Sequence, residues 1–282
     1  MGKSGFVRLA RKLFPSLSRL THNPAFKLAV DGADLPFRAM FREFRQLPPN
    51  HLRIRVGVGN RLFTNQALHY AGSPSFWIGT AVDGLWSWDS TILDIGCGVG
   101  RYAQSLRDLD YTGLRFHGRY IGVDIDEEML SWCRSYFDSE RFTFIRSSDS
   151  SKSYNIDSGA TQPFRIDLPD ESVDFVFSTS LFTHLLEREL ENYVRESHRL
   201  LRPGRFMDMS VFCLDYPPPT YGTRHTFAHR MGNAHVESLR QPEAAVAYSE
   251  EFLLRIGREA GFSEARILHA PHKWQPVLRC RK

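Results

Sequence analysis

The sequence has few cysteines and lacks any long hydrophobic run. Its 282 residues include four cysteines, Cys97, Cys133, Cys213 and Cys280, and none belongs to a CxxC pair. This spacing excludes a small disulfide scaffold and the usual zinc ribbon, so we interpret all four as free thiols. No stretch approaches the roughly 18 consecutive apolar residues of a spanning helix, and the N-terminus lacks the apolar core of a secretory signal. These absences predict a cytoplasmic protein.

Acidic residues are scarce near the N-terminus, where basic residues are concentrated. Of the 36 Lys and Arg and the 32 Asp and Glu, residues 1–60 hold 11 and 3. In residues 1–22 apolar positions follow helical spacing with basic residues on the other side, and Pro15 divides the pattern. We favour packing of this stripe onto the protein's own domain. The alternatives are peripheral contact with an anionic membrane, contact with nucleic acid, and an organellar presequence.

From Thr91 onward, short apolar runs of strand length alternate with helical patterns. TILDIG precedes RYAQSLRDL, RYIGVDI precedes EEMLSWCRSYF, and the alternation continues to PVLRC near the C-terminus. Parallel strands need crossover connections, which are usually helices, so the pattern predicts a doubly wound α/β domain. We predict a basic arm and helical cap over residues 1–85, followed by this domain over residues 86–282. An insertion near 214–248 interrupts the alternation and is predicted to form a lid over the acceptor.

A glycine-rich turn, LDIGCGVGR at 93–101, lies where the first strand of this domain passes into a helix. Gly96, Gly98 and Gly100 remove side chains so that backbone amides can approach a ligand closely. Asp124 ends the next strand, where a carboxylate can accept hydrogen bonds from two ribose hydroxyls. Strand, glycine turn, helix, strand and acid together indicate an adenosine-binding site.

The glycine spacing separates two classes of adenosine ligand. A dinucleotide fingerprint is GxGxxG, whereas this chain has GxGxG with Arg101 at the position of the third glycine. Asp94 stands two residues before the first glycine, and a carboxylate there suits a cationic ligand. The pattern therefore disfavours a nicotinamide-dependent dehydrogenase.

At these residues the sequence resembles the class I S-adenosylmethionine-dependent methyltransferases, whose first motif is an acid followed by xGxGxG, as in Asp94 to Gly100. The resemblance implies a Rossmann-like fold with a seven-stranded, mostly parallel sheet and S-adenosyl-L-methionine as cofactor. The glycine turn would contact the methionine part, Asp124 the ribose, Ile125 the adenine face and Asp149 the adenine amino group. For Asp149 a solvent-exposed acid is an equal alternative. The implied cofactor-binding residues are Asp94, Gly96, Cys97, Gly98, Gly100, Asp124, Ile125 and Asp149.

Two further segments are similar to this family. Residues 163–185 look like the turn and strand that end beside the methyl group. Residues 243–262 are similar to a bacterial subgroup associated with glycan or natural-product genes. The resemblance covers residues 88–282 and not the basic N-terminal region.

The acceptor side contains several histidines and tyrosines. His184 follows a predicted strand at its carboxyl end and is a candidate general base, with a histidine bonded to nearby backbone as the alternative. Thr183 is predicted to cap the next helix. The insertion adds the acceptor-binding candidates Tyr216, Tyr221, His225 and His229. We predict no metal, since no acid completes a ligand set with His225 and His229.

The predicted function is methyl transfer to a hydroxyl group of a saccharide or small natural product. One alternative is an RNA methyltransferase in which the basic arm contacts phosphates. Another is a nonenzymatic adenosine-ligand-binding or membrane-associated scaffold. The oligomeric state is left open.

Overall fold

The protein forms two compact units, Met1–His69 and Tyr70–Lys282. The computed structural model describes residues 22–56, 66–148, 163–216, 225–269 and 275–282. Nearly all of the basic 1–22 segment therefore lies outside the described residues. Residues 70–85, which the sequence assigns to the N-terminal region, lie in the second unit. Within the described ranges, no helix has the length and apolar character needed to cross a membrane.

Residues 22–56 of the first unit contain one long helix, α1 (Pro24–Met40), and two single-turn helices, α2 (Arg42–Arg45) and α3 (Asn50–Arg53). Asn23 caps α1, because its Oδ1 accepts hydrogen bonds from the Ala25 and Phe26 amides at 2.9 and 3.2 Å. Asp34 is fully buried and pairs with Arg38 at 2.8 Å and with Arg53. These partners compensate the cost of burying the carboxylate.

The remaining elements follow in chain order. The helices are α4 (Gln66–Val82), α5 (Arg101–Asp108), α6 (Glu127–Tyr136), α7 (Glu187–Leu200) and α8 (Glu250–Glu259). The strands are β1 (Thr91–Ile95), β2 (Asp110–Tyr111), β3 (Leu114–Arg115), β4 (Arg119–Asp124), β5 (Phe142–Arg146), β6 (Val173–Ser178), β7 (Leu201–Ser210), β8 (Phe212–Cys213), β9 (His229–Met231), β10 (Ala234–Val236), β11 (Val246–Tyr248), β12 (Glu264–Leu268) and β13 (Val277–Arg281).

Seven strands form one sheet in the order β12-β13-β7-β6-β1-β4-β5. β13 runs antiparallel to both of its neighbours, and the other pairings are parallel. The strand order reverses direction at β1, which lies between β4 and β6. The predicted Rossmann-like, doubly wound, mostly parallel sheet is therefore confirmed.

Helices cover both faces of this sheet, which explains why its inner strands are almost continuously apolar. On one face α4, α5 and α6 bury an aromatic core that includes Trp77, Tyr120 and Phe175. On the other face α7 and α8 bury an aliphatic core that includes Leu93 and Met207. Every residue of β6 is buried.

The described part of the predicted insertion, 214–248, pairs with β8, which precedes it, in a second sheet with the order β8-β11-β10-β9. It has a small apolar cluster of its own, built on Phe212, Phe227 and Ala247. The amide of Val246 donates to the Thr183 carbonyl at 2.8 Å, which ties the second sheet to the loop after β6. The insertion is therefore anchored at the carboxyl end of the main sheet.

Candidate active site

The glycine turn between β1 and α5 is held by hydrogen bonds within the protein. Gly96, Gly98 and Gly100 have φ angles of +83°, +54° and +72°, in the left-handed region that favours glycine. The amides of Gly96 and Cys97 both donate to the Val123 carbonyl, at 2.7 and 3.0 Å. The Gly98 amide donates to the Asp124 carboxylate, and the Gly100 amide donates to the Cys97 carbonyl. These four amides therefore fix the shape of the turn.

Asp124 provides the carboxylate of this turn. Its Oδ2 accepts from the Gly98 amide at 2.7 Å, and its Oδ1 accepts from the Asp126 amide at 2.9 Å. Burial raises the pKa of Asp124, and the bonds from these two amides oppose the rise. A backbone hydrogen bond at Ile125 also opposes the rise, and a carboxylate has about four lone-pair sites, so these bonds leave some acceptor capacity. The predicted pairing of glycine turn and strand-end acid is thus present in the structure.

Cys97 lies in the protein interior. A Cβ atom on Gly122 would come within 2.8 Å of the Cys97 Sγ, so the turn packs directly against β4. Burial raises the pKa of the Cys97 thiol, which keeps it protonated. Ile125 is half-buried beside Asp124.

Asp94 is almost fully buried and accepts a hydrogen bond from the hydroxyl group of Tyr120. Burial raises the pKa of Asp94 to about 7, with a further contribution from the nearby Asp124 carboxylate, while the Tyr120 bond opposes the rise. Tyr120 is a contact that the sequence does not reveal. Near neutral pH Asp94 is therefore distributed between its two protonation states.

This pKa predicts a pH dependence of stability. Because the carboxyl group has a higher pKa in the folded chain than in the unfolded chain, its stabilising effect is complete below about pH 4 and is lost as pH rises through about 7. The asparagine side chain in Asp94→Asn cannot ionise, so the unfolding free energy of this variant should rise relative to that of wild type as the pH increases from about 5 to about 7. The expected slope is up to about 1.4 kcal/mol per pH unit. Urea unfolding of both proteins across this range measures the effect. Parallel stability curves would contradict the raised pKa.

A cavity of about 210 Å³ opens at the carboxyl ends of β6 and β7. Two aromatic side chains line it, Phe76 from α4 and Tyr102 from α5, with ring centroids 5.0 Å apart. The other lining residues are Ser178, Thr179, Asp208, Ser210, Gln275 and Val277. In the sheet register Asp94 is opposite Phe177, and Phe177 is opposite Asp208. With strands about 4.8 Å apart, the Asp94 and Asp208 backbones are roughly 10 Å apart, so the cavity adjoins the glycine turn.

His184 lies on the loop after β6, outside the lining of this cavity. Its Nδ1 is 2.9 Å from the Glu243 carbonyl oxygen, so the ring donates from Nδ1. Burial lowers the pKa of His184, which favours the neutral ring. The prediction that Thr183 caps a helix is wrong, because α7 begins only at Glu187 and the Thr183 hydroxyl donates to the Ser180 carbonyl at 2.8 Å.

The described insertion residues proposed for acceptor binding have different neighbours. Tyr216 stacks on His269, with ring centroids 4.9 Å apart. His225 stacks on Phe227 at 5.5 Å, whereas His229 is exposed on β9, an edge strand. Tyr221 and Asp149 lie outside the described residues. No group of three metal-ligating side chains occurs in the part of the chain that the structure describes.

The comparisons with known proteins agree with the geometry. Residues 93–207, which run from the glycine turn to β7, match a family model described as a methyltransferase domain. Residues 93–207 therefore form a methyltransferase domain. S-adenosylmethionine is the cofactor that the resemblance at Asp94 to Gly100 implies.

Three solved structures illustrate the range of similar proteins. A methyltransferase from Methanosarcina mazei is 18% identical, covers 72% of this chain and 96% of its own, and has a TM-score of 0.49. One from Mesorhizobium loti is 16% identical, with coverages of 75% and 99% and a TM-score of 0.49. The 1,6-didemethyltoxoflavin-N1-methyltransferase of Burkholderia thailandensis, solved with S-adenosylhomocysteine, is 19% identical, with coverages of 79% and 82% and a TM-score of 0.45.

Proposed function

We propose that this methyltransferase methylates a hydroxyl group of a saccharide or another small natural product. The observation that carries the proposal is the cavity of about 210 Å³ beside the glycine turn. Pockets for drug-sized ligands usually measure about 300–1,000 Å³, so this cavity suits a single ring or a part of a small molecule. Its lining is mostly apolar, and the polar side chains within it suit an acceptor that carries hydroxyl groups.

The residues at the turn fit the cofactor. The acceptor capacity that remains on the Asp124 carboxylate, at the end of β4 and beside the glycine turn, suits the hydroxyl groups of a ribose. In this proposal Ile125 contacts the adenine. The bound cofactor supplies an electrophilic methyl group on a sulfonium centre. The protein then has to align the acceptor oxygen and exclude water.

We propose that His184, which follows β6 but does not line the cavity, accepts the proton of an acceptor hydroxyl that extends beyond the cavity. Because Nδ1 donates to the Glu243 carbonyl, the lone pair of the neutral ring lies on Nε2. The lowered pKa keeps this lone pair available at neutral pH. The hydrogen bond from the Val246 amide to the Thr183 carbonyl holds the insertion and the loop after β6 together next to His184.

Replacement of His184 tests this role. His184→Ala should lower kcat by at least about 100-fold, since general-base catalysis contributes roughly 10²–10⁴. In wild type, kcat should fall on the acidic side of pH 6.5, because the pKa of His184 is lowered and its protonated ring cannot accept a proton. His198→Ala is the matched control. His198 is another histidine whose pKa is lowered by burial, but it lies on α7 and packs against Phe262. An unchanged kcat and acidic limb in His184→Ala would exclude His184 as the base.

The acceptor class is tested by following a labelled methyl group. The full-length protein is incubated with ¹³C-methyl S-adenosylmethionine and, separately, with the small-molecule, RNA and protein fractions of the source cells. We expect the label in the small-molecule fraction, with the carbon chemical shift of an O-methyl group. Label in RNA, or at nitrogen or carbon, would contradict the proposal.

A further inference from the structure

A buried ion pair lies in the wall of the cavity. Asp208 on β7 accepts two parallel hydrogen bonds from Arg279 on β13, both 2.8 Å long. Both residues are more than nine-tenths buried. Arg279 also reaches the exposed Asp83 after α4, at 3.3 Å. Burial raises the pKa of Asp208, and Arg279 opposes the rise.

Burying this ion pair carries a free-energy cost of desolvation, which suggests that the pair has a role other than stability. A buried ion pair often contributes less stability than well-packed apolar residues would. Arg279 occupies one lone-pair site on each Asp208 oxygen, so the carboxylate retains further acceptor sites. Since Asp208 lines the cavity, those sites are placed next to any molecule that enters it.

The neighbouring polar groups can donate hydrogen bonds. The Ser210 Oγ accepts from the Ser180 amide at 2.6 Å, which leaves the Ser210 hydroxyl hydrogen to be donated. The Gln275 Oε1 accepts from the Ser180 hydroxyl at 3.3 Å, which leaves its NH₂ group as a donor. With Asp208, these side chains offer acceptors and donors within one cavity.

The aromatic part of the lining complements these polar groups. Phe76 and Tyr102 meet edge to face, and the Phe76 ring also lies 4.9 Å from Phe177 below the cavity. Aromatic rings provide rigid apolar contact area. A ligand that satisfies both parts has apolar ring faces and hydroxyl groups at its edge, as a monosaccharide has.

We propose that Asp208, held in place by Arg279, is an acceptor-binding residue that accepts a hydrogen bond from a hydroxyl group of a monosaccharide-sized ring. Phe76 and Tyr102 contact the ring, while Ser210 and Gln275 donate to its oxygens. This inference rests on the proposed function and names the part of the acceptor that the cavity recognises. The charged pair then sets substrate preference in addition to joining β7 and β13.

The test compares Asp208→Asn with a matched control, Asp174→Asn. Asp174 on β6 is as buried as Asp208 and pairs with Arg202 at 2.6 Å, but it lies at the opposite end of its strand. The probes are the methyl glycosides of glucose, galactose, mannose and rhamnose, with tetrahydropyran as a ring without hydroxyl groups. Their affinities are measured by calorimetry on the full chain saturated with S-adenosylhomocysteine.

We expect at least one glycoside to bind wild type about 10-fold or more tightly than tetrahydropyran does. Asp208→Asn should reduce that preference by at least about 10-fold, since a hydrogen bond to a charged group is worth about 1.5–3 kcal/mol. Asp174→Asn should leave it unchanged. Gln275→Ala changes a half-buried position outside the ion pair and should weaken the binding of the same glycoside. This variant provides the test if Asp208→Asn does not fold.

The outcomes separate this inference from the proposed function. Normal S-adenosylhomocysteine binding without preference for any glycoside overturns the inference and leaves the cofactor site intact. A preference that both aspartate variants reduce equally, or that neither Asp208→Asn nor Gln275→Ala reduces, also overturns it. Failure of wild type to bind S-adenosylhomocysteine would contradict the function on which the inference rests.

Discussion

The Asp124→Ala variant is expected to bind S-adenosylhomocysteine at least about 100-fold more weakly than wild type. Two ribose hydroxyl groups would lose a charged acceptor, and each such hydrogen bond is worth about 1.5–3 kcal/mol. The Gly98 amide would also lose the oxygen that it contacts at 2.7 Å, so the turn would lose one of its anchors. Calorimetric titration of both proteins measures the difference.

Asp110→Ala is the matched control for this loss. The Asp110 carboxylate accepts from the Gly113 amide at 2.9 Å, much as Asp124 accepts from Gly98, but it lies in the exposed β2-β3 hairpin. Asp110→Ala should bind S-adenosylhomocysteine as wild type does. An affinity of Asp124→Ala within a few-fold of wild type would show that the ribose lies elsewhere.

The Gly96→Ala variant is expected to lose about 2–5 kcal/mol of unfolding free energy. Gly96 has a φ of +83°, which costs an L-residue roughly 1–2 kcal/mol. The new Cβ would also lie 2.9 Å from the Cβ of Leu181, and such overpacking typically costs about 1–3 kcal/mol. Because the turn must shift, the affinity for S-adenosylhomocysteine should fall as well.

Gly113→Ala separates the two costs. Gly113 has a φ of +87°, and a Cβ there meets nothing within 4 Å. This variant therefore has the backbone cost alone, and urea unfolding should place it about 1–3 kcal/mol above Gly96→Ala in stability. Equal losses in the two variants would mean that the contact with Leu181 is relieved without cost.

The local features of the site were predictable from the sequence. Gly96, Gly98, Gly100 and Asp124 are recognisable because the turn and the strand-end acid are short patterns with a fixed separation. The alternation of strand and helix patterns likewise predicted the parallel sheet. The sequence predicted that the glycines let backbone amides approach a ligand. In the structure, positive φ angles require all three glycines, close packing also requires Gly96 and Gly100, and the amides of all three bond within the protein.

Contacts between distant segments were not predictable in the same way. Asp94 meets Tyr120, and Asp208 meets Arg279 71 positions further along the chain, only because of the strand order and register. Asp208 and Arg279 did give a signal, since each is a charged residue flanked by apolar residues of its strand, Met207 and Met209 or Leu278 and Cys280. A carboxylate and a guanidinium on two such strands indicate a pair, but the sequence does not state which strands are neighbours.

The most direct test of the account is the thermal unfolding of wild type and Asp124→Ala with S-adenosylmethionine, S-adenosylhomocysteine or NAD. A ligand at about 100 times its dissociation constant stabilises the folded state by roughly 2.7 kcal/mol. We expect the two sulfur ligands to raise the Tm of wild type, NAD to have no effect, and Asp124→Ala to lose the response. Stabilisation of wild type by NAD alone, or an equal response in Asp124→Ala, would contradict the assignment of the glycine turn and Asp124 as the cofactor site.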